Sequence, residues 1–370
     1  MRLIFQIFLI LSIPIYFFYD KTKKQNESVV NVYDWYEMLP TEILQQFEKE
    51  TGIRVRYDVY DNNEILESKL LASNSGYDVV FPSASPYAAR QIKIGIYQPL
   101  NKRLLPELKQ LNPKISSLME AIDPNMTYTI PYYWGTIGIA FDKDEIQKRL
   151  PNADLESYNV LLDPENLKKL KSCGVSFLEE ATDVMPIVLN YLGRPANSES
   201  KADLKLATEH LLKLRPLIRK FTSSRFMNDL MLGEVCIAQA WSGEAHQAEQ
   251  SAKELGRNIL YIVPKEGTSI WIDCMAVPLG SPNPLNAHKF INFLLRPDIS
   301  AKITNKTKLP TVVDASLPLI NEDLKNNKSI YPNPDIMDKL RLDGTQTTDK
   351  SLKFDHKRTK AWINIRLNQK

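Results

Sequence analysis

Residues 29–60 have the sequence VVNVYDWYEMLPTEILQQFEKETGIRVRYDVY. The apolar run at 29–35 predicts a strand, and Pro40 then opens an amphipathic helix that Gly52 ends. Residues 53–60 alternate apolar and polar side chains, which predicts a second, half-buried strand. A strand, a helix and another strand in this order are typical of a parallel sheet covered by helices.

The same pattern continues further along the chain. Asn63 is predicted to cap a second helix, and the short apolar run at 77–81 predicts a buried strand. The predicted fold class is therefore α/β. Ligands of open α/β sheets bind beyond the carboxyl ends of the strands. Trp35 and Ser83 both lie at such ends, so they are candidate binding residues.

Length and composition indicate an ordinary globular protein. The chain has 370 residues, which is more than one hydrophobic core usually serves, so two domains are expected. Hydrophobic residues make up 43% and charged residues 25%, which excludes a disordered chain. The net charge of +3 is small and no basic stripe with interleaved aromatic residues occurs, so nucleic acid is not an expected partner.

Two later segments are predicted to cross between the domains. They lie at 127–141, expected as two apolar pieces around Pro131 and Gly135, and at 270–277. Pro297 is expected to end a helix. The other predicted elements are helices at 164–170, 183–192, 202–214 and 287–295, strands at 235–241 and 259–263, and a helical patch near Trp362.

The first residues differ from the rest of the chain. Arg2 precedes an apolar run at 3–19, and a positive start followed by an apolar run describes an export signal. The run has about 17 residues, the lower limit for a membrane span. Because no small-residue cleavage site precedes Asp20, an uncleaved signal that tethers the protein to the membrane is equally consistent. Residues 1–28 are therefore predicted to form a signal or anchor with a linker.

The chain has three cysteines, Cys173, Cys236 and Cys274. Their spacing fits no zinc pattern, so no metal site is expected. In an oxidising compartment, one disulfide and one free thiol is the simplest arrangement. Three buried thiols remain the alternative.

Three tryptophans are each followed within three residues by a carboxylate. An aromatic face beside a carboxylate suits an organic cation, because the face attracts positive charge and the carboxylate neutralises it. Three unrelated core tryptophans with solvated acids nearby are the alternative interpretation. The pairs are Trp35 with Glu37, Trp241 with Glu244, and Trp271 with Asp273.

Common enzyme motifs are absent from the sequence. It contains no nucleophile elbow, P-loop, dinucleotide fingerprint or zinc-protease motif, so no cofactor is expected. His246 lies near Glu244 and could line a cleft, but no nucleophile is linked to it. Glu37 and Asp273 could form an acid–base pair, so an enzyme that acts on an amine is kept as a less favoured alternative.

Several longer motifs occur in the order known for one family. The chain resembles the bacterial polyamine-binding proteins of ABC transporters, most closely those that bind putrescine, from residue 32 to its C-terminal region. The motifs are YDW at 33–35, FEKETGI at 47–53, YDV at 57–59, PSAS at 82–85, PENL at 164–167, KLKSCGVSFL at 169–178, LNYLG at 189–193, LLKLRP at 211–216, PKEG at 264–267 and LLRPD at 294–298.

The resemblance implies a two-lobed periplasmic-binding-protein fold of type II, in which crossing strands join two α/β lobes around a ligand cleft. The first lobe would comprise residues 29–133 and 270–306. The second lobe would comprise residues 134–269 and 307–370. The resemblance also pairs Cys173 with Cys236 as a disulfide.

The resemblance further implies a set of ligand-binding residues. The tryptophans would form aromatic walls against the alkyl chain, the carboxylates would hold ammonium groups, and Ser83 would supply a hydroxyl. Glu37 and Glu244 are each one methylene longer than the family's Asp, Asp183 is shorter than its Glu, and Tyr36 replaces a Ser. The implied residues are Trp35, Tyr36, Glu37, Ser83, Asp183, Trp241, Glu244, Trp271 and Asp273.

The function implied by the resemblance is capture of putrescine or a related polyamine in the cleft, without catalysis. The protein would be a periplasmic monomer that delivers its ligand to ABC transporter permease subunits, with a membrane tether if the signal is uncleaved. A tethered polyamine sensor that serves no permease is the alternative in which the same cleft has another role.

Overall fold

The structure is a computed structural model that describes residues 28–36, 38–72, 75–342 and 349–368. The predicted signal or anchor at residues 1–28 lies outside the described residues, apart from Ser28. Within the ranges described, no helix combines the length and the hydropathy that a membrane crossing requires.

Ten strands form one mixed sheet in the described part of the chain. They are β1 (Val29–Trp35), β2 (Arg54–Tyr60), β3 (Val79–Val80), β4 (Thr129–Asp142), β5 (Val175–Phe177), β6 (Lys220–Phe221), β7 (Ile237–Trp241), β8 (Ile259–Ile262), β9 (Ser269–Ala276) and β10 (Arg341–Leu342).

Helices cover this sheet. They are α1 (Thr41–Thr51), α2 (Asn63–Leu71), α3 (Ala89–Lys93), α4 (Pro113–Met119), α5 (Lys143–Arg149), α6 (Asn159–Leu162), α7 (Pro164–Leu170), α8 (Ala181–Tyr191), α9 (Lys201–Leu214), α10 (Phe226–Met231), α11 (Ser242–Glu254), α12 (Pro284–Leu294), α13 (Pro297–Thr307), α14 (Glu322–Lys325), α15 (Pro334–Met337) and α16 (Asp349–Leu367).

The first strands form the parallel arrangement that the sequence predicts. Strand β1 pairs in parallel with β2 along its whole length and with β3 on its other side. The α/β prediction is thereby confirmed. Because the strands are parallel, their carboxyl ends meet at one edge of the sheet. Trp35 ends β1 there, and Ser83 follows β3 at the same edge.

Strands β4 and β9 join the two parts of the sheet. They pair in antiparallel register from Thr129 opposite Ala276 to Thr136 opposite Ile270, with a shift next to Pro131. Beyond this stretch β4 pairs with β7 and β8, and β7 continues to β5 and β6. The predicted crossing at 127–141 is thus one continuous strand rather than two pieces.

The bounds predicted for the two lobes stay a prediction. After α13 the chain returns to the first part of the molecule, where Val313 bridges to Leu111 and Thr311 bridges to Tyr133. The C-terminal helix α16 instead packs against α8 and α9. Residues 307–370 therefore contact both parts of the sheet.

The C-terminal helix is anchored immediately before α8. The Trp362 indole Nε1–H donates to the carbonyl of Glu179 (2.6 Å), and the Arg366 guanidinium donates to the Glu179 carboxylate (2.9 Å). Since α8 carries Asp183, the last helix fixes the segment that presents this predicted binding residue.

Two predicted helix boundaries differ in the structure. The N-cap of α2 is Asn62, whose side chain accepts from the amide of Ile65, and Asn63 is the first helical residue. Pro297 does not only follow a helix but begins α13, because proline is well suited to the first turn, where its missing N–H is not needed.

The predicted disulfide is confirmed. Cys173 and Cys236 are bonded with their Cα atoms 5.4 Å apart, and Cys274 is a buried free thiol. The bond joins the segment before β5 to the start of β7, so it ties two neighbouring strands together.

Asp78, directly before β3, accepts five hydrogen bonds. Its buried carboxylate accepts from the amide and side chain of Asn31 (2.7 and 3.0 Å), from the hydroxyl of Ser281 (2.7 Å), and from the amide and side chain of Asn283 (2.6 and 3.1 Å). One side chain therefore joins β1 to the loop that enters α12.

We expect Asp78→Ala to lower the free energy of unfolding by roughly 2–4 kcal/mol, since five hydrogen bonds lose their buried acceptor. Urea unfolding followed by circular dichroism measures this change. The exposed Asp323→Ala is the matched control, with an expected change within about 0.5 kcal/mol. Equal unfolding midpoints for both variants would contradict the role given to Asp78.

Candidate functional site

Ser83 and Asp273 meet at the carboxyl edge of the sheet although 190 residues separate them. An isolated bridge joins their backbones, and the Ser83 hydroxyl donates to Asp273 Oδ1 (2.6 Å). Asp273 lies on the crossing strand β9 and is only 6% exposed. These two predicted binding residues are therefore brought into direct contact.

Trp35 lies at the same edge. Its indole packs against the Tyr60 ring with centroids 4.7 Å apart, and its Nε1–H is buried without a hydrogen-bond partner. The ring is thus packed on one side and carries an unused donor. Tyr60 is held in turn by donating its hydroxyl to the carbonyl of Phe81 (2.5 Å).

Asp34, directly before Trp35 in β1, is a second buried carboxyl group. It accepts from the amide of Trp35 (2.7 Å) and from the hydroxyl of Tyr57 (3.1 Å). Burial raises the pKa of Asp34 to about 8, and the charge of Asp273 adds to this rise. The sequence interpretation missed Asp34, although it stands directly before Trp35.

Burial also raises the pKa of Asp273 to about 7, and the carboxylate of Glu244 contributes to the rise. The hydrogen bond from the Ser83 hydroxyl partly offsets this rise in the pKa of Asp273. The nearby Tyr133 hydroxyl also offsets it, although Tyr133 makes no hydrogen bond of normal geometry. The two acids thus lie close enough to influence each other, with one on β9 and one on α11.

Glu244 lies in the first turn of α11, and its side chain is exposed. Desolvation by the surrounding protein raises the pKa of Glu244 to about 7, and its own backbone N–H partly opposes the rise. The carboxyl group is therefore accessible to a ligand.

Trp271 contacts both crossing strands. Tyr133 meets its ring edge-on at 6.1 Å, and its Nε1–H is buried without a partner. A Cβ at Gly135 would lie 2.2 Å from the indole, and one at Gly243 would lie 4.0 Å from it. The ring therefore rests on the backbone of β4 and close to the start of α11.

Trp241 and Asp183, two further predicted site residues, lie on β7 and α8. Trp241 ends β7 and packs edge-on against Phe226 at 6.1 Å. The side chain of Gln239, two residues earlier, donates to the carbonyl of Asp183 (2.8 Å), and its buried Oε1 has no partner. Contact between α8 and β9 brings the helix of Asp183 beside the strand of Asp273.

Two further predicted residues follow β1. The Tyr36 side chain is 59% exposed, and its amide donates to the carbonyl of Tyr60 (3.2 Å). Glu37 lies outside the described residues.

Other polar residues near the site were not predicted. The Tyr87 hydroxyl donates to the carboxylate of Glu64 at the start of α2. Burial, and then the Glu64 carboxylate, raise the pKa of Glu180, which precedes α8. These acids approach each other only in the folded chain, so nothing in the sequence marks them as a pair.

His246, which the sequence placed near a cleft, is 1% exposed. Its ring lies edge-on to Tyr261, and its Nε2 is 3.4 Å from the carbonyl of Ser329. It thus packs between α11 and the C-terminal segment. The described residues contain no group of three histidine, cysteine or acidic side chains that could hold a metal ion.

The candidate site therefore joins Ser83 to Asp273 at the crossing strand β9, with Trp271 on the same strand, and the carboxyl groups of Asp34, Asp273 and Glu244 have raised pKa values. The family model for bacterial extracellular solute-binding proteins matches residues 42–332. The chain belongs to this family. The geometry is consistent with the membership, because the polar groups converge at one edge of a sheet that crossing strands divide.

Relatives of this solute-binding protein are close over nearly their whole length. It is 41% identical over 93% of each chain to the putrescine-binding periplasmic protein PotF of Escherichia coli. It is 41% identical over 92% of each chain to the putrescine-binding periplasmic protein SpuD of Pseudomonas aeruginosa.

A solved structure resembles the fold. The spermidine/putrescine ABC transporter substrate-binding protein PotD of Streptococcus pneumoniae has a TM-score of 0.83 and 26% identity, covering 93% of this chain and 100% of the other. The two-lobed fold class predicted from the sequence is confirmed by this similarity.

The buried Asp34 gives this solute-binding protein a specific pH dependence of stability. An ordinary aspartate has a pKa of about 3.9, whereas that of folded Asp34 is about 8. Folding therefore binds a proton between these values. The stabilisation is fully present below pH about 4 and is lost, at roughly 1.4 kcal/mol per pH unit, as the pH rises to about 8.

We expect Asp34→Asn, which stays neutral, to gain stability relative to the wild type as the pH rises from 5 to 8. Urea unfolding at several pH values measures the difference. Asp61→Asn, at an exposed position, should track the wild type at every pH. A constant difference between Asp34→Asn and the wild type would show that the buried group does not titrate in this range.

Proposed function

We propose that this protein is the polyamine-binding subunit of an ABC transporter, and that it holds putrescine or a related diamine or polyamine in the cleft. The observation that carries the proposal is that two buried carboxyls, Asp34 and Asp273, and the exposed Glu244 have no basic partner. Among the described residues, no lysine or arginine forms an ion pair with Asp34, Glu244 or Asp273. A cationic ligand would supply the missing charge.

The chemistry of the walls fits an alkyl diammonium ion. An ammonium group loses its water on entering the cleft, so carboxylates and hydroxyls must replace that hydration. Asp273, Ser83 and Glu244 supply such acceptors. The faces of Trp35 and Trp271 would cover the methylenes and gain from apolar burial and cation–π attraction.

The two parts of the sheet would close on the ligand by a hinge motion. Trp35, Ser83 and Asp273 would approach from one side of the cleft, and Asp183 and Trp241 from the other. The ligand-binding roles of these residues, and of Tyr36 and Glu37, belong to this proposal. The lobe bounds at 29–133 with 270–306, and at 134–269 with 307–370, belong to it as well.

The relatives support a binding protein rather than an enzyme, since PotF and SpuD are putrescine-binding periplasmic proteins. The partners we propose are permease subunits, and the proposed location is the periplasm, with the protein acting as a monomer. A tethered sensor with the same cleft would bind the same ligands. Stimulation of ATP hydrolysis by a reconstituted transporter complex separates the two roles.

Calorimetry with putrescine, cadaverine, spermidine and agmatine tests the proposal. We expect at least one of them to bind, and Asp273→Asn to weaken that binding roughly 10- to 100-fold, since a charge-assisted hydrogen bond is lost. The exposed Asp61→Asn serves as the control and should bind like the wild type. Absence of binding by all four amines would reject the function.

The raised pKa values also predict how affinity depends on pH. Asp273 and Glu244, each with a pKa of about 7, are partly protonated in the ligand-free protein. An ammonium ion binds the ionised form, so binding releases protons, and affinity should fall as the pH decreases from 8 to 5. Calorimetry in buffers of different ionisation enthalpy counts the released protons, and a count of zero at pH 7 would contradict this prediction.

A further inference from the structure

Asn63 lies directly behind the contact between Ser83 and Asp273. It is the first residue of α2 and only 8% exposed. Its side chain turns away from its own helix and makes two hydrogen bonds with Ser83. The Ser83 amide donates to Asn63 Oδ1 (3.1 Å), and Asn63 Nδ2 donates to Ser83 Oγ (3.0 Å).

These two bonds fix which end of the amide faces the hydroxyl. A backbone N–H can only donate, so the side-chain atom opposite the Ser83 amide must be the carbonyl oxygen of Asn63. The NH₂ group then necessarily faces Ser83 Oγ. The orientation of the Asn63 side chain thus follows from the chemistry of its partners.

The direction of the Ser83 proton follows in turn. A hydroxyl has one proton and two lone pairs. Because Asn63 Nδ2 donates to the oxygen, the Ser83 proton points elsewhere, and the acceptor within reach is Asp273 Oδ1 at 2.6 Å. One lone pair of Ser83 Oγ then remains for a further donor. A protonated amine offers such a donor.

The neighbouring residues Asn62 and Asn63 have different hydrogen-bond partners, which supports a role of Asn63 at Ser83. Asn62 caps α2 by accepting from the Ile65 amide (2.9 Å), so the helix does not require Asn63 as its cap. Asn63 is therefore available to act on Ser83. The same pair provides a matched control, because both positions carry the same residue at the same helix end.

We propose that Asn63 is a positioning residue that directs the Ser83 hydroxyl proton to Asp273 and thereby leaves Ser83 as an acceptor for an ammonium group of the ligand. The inference rests on the proposed polyamine binding. Asn63 itself does not touch the ligand in this scheme. It determines whether Ser83 meets the cation with a lone pair or with a proton.

The test compares Asn63→Ala with Asn62→Ala by calorimetry with the tightest-binding amine. We expect Asn63→Ala to weaken binding roughly 3- to 10-fold, as for one lost hydrogen bond. Asn62→Ala should lower the thermal unfolding midpoint by roughly 2–4 °C and leave affinity within about twofold of the wild type. Equal affinity for Asn63→Ala and the wild type would overturn the proposal.

A double-mutant cycle separates positioning from general damage to the fold. If Asn63 acts through the hydroxyl, Asn63→Ala should have no further effect on affinity in a Ser83→Ala background. An unchanged effect in that background overturns the proposal. If Asn63→Ala does not fold, Asn63→Asp replaces it, because aspartate keeps the acceptor for the Ser83 amide but loses the donor to Ser83 Oγ. The effects of Asn63→Asp and Ser83→Ala on affinity should again be non-additive.

A ligand-free measurement keeps this inference distinct from the proposed function. Infrared titration of ¹³C-labelled aspartate, with Asp273→Asn identifying the band, follows the Asp273 carboxyl directly. Asn63→Ala should raise its pKa, because the donating Ser83 proton is no longer held in place, while Asn62→Ala should not. If the wild type binds no amine but this shift occurs, only the proposed function fails. If amines bind and the shift is absent, only the inference fails.

Discussion

Antiparallel hydrogen bonding between β4 and β9 is the interaction on which the rest of the structure depends. These strands belong to both parts of the sheet, so their pairing from Thr129 to Thr136 joins the two halves of the molecule. Asp273 and Trp271 lie on β9 within this paired stretch. These two candidate residues are thus built into the junction itself, and strands hold side chains more rigidly than loops do.

Uncompensated negative charge is the second constraint. Burying carboxyl groups without a basic partner destabilises the ionised form, and the raised pKa values of Asp34 and Asp273 express this cost. Perturbed groups of this kind concentrate at functional sites. The charge of Asp273 adds to the rise for Asp34, and the charge of Glu244 adds to the rise for Asp273, so a bound cation would relieve this repulsion.

Local patterns predicted much of the fold from the sequence. The bounds of β1 were predicted to the residue, since its apolar run is followed by a helix start. The cap of α2 was misplaced by one residue, because Asn62 and Asn63 share the same capping chemistry and only the contact with Ser83 distinguishes them. Pro297 was interpreted as a stop signal, although proline also begins helices.

The candidate site was predictable only in part. The sequence singled out Trp271 with Asp273 as a pair and Ser83 as a residue at a strand end, whereas the hydrogen bond between Ser83 and Asp273 spans 190 residues and no local pattern encodes it. Asp34 escaped notice because an acid within an apolar strand normally faces solvent. Its burial depends on packing by Tyr57 from the neighbouring strand, which is a tertiary effect.

The packing of Trp271 has a consequence for the movement of the two parts of the sheet. Its indole lies against Gly135 of one crossing strand and near Gly243 at the start of α11. The amide of Thr136 donates to the hydroxyl of Ser242 (3.1 Å), so the two glycine segments are also held to each other. Both glycines fall within the second predicted lobe and Trp271 falls within the first. A rotation of the lobes would therefore move the indole relative to both neighbours at once, and the packing of this ring would change with the angle of the cleft.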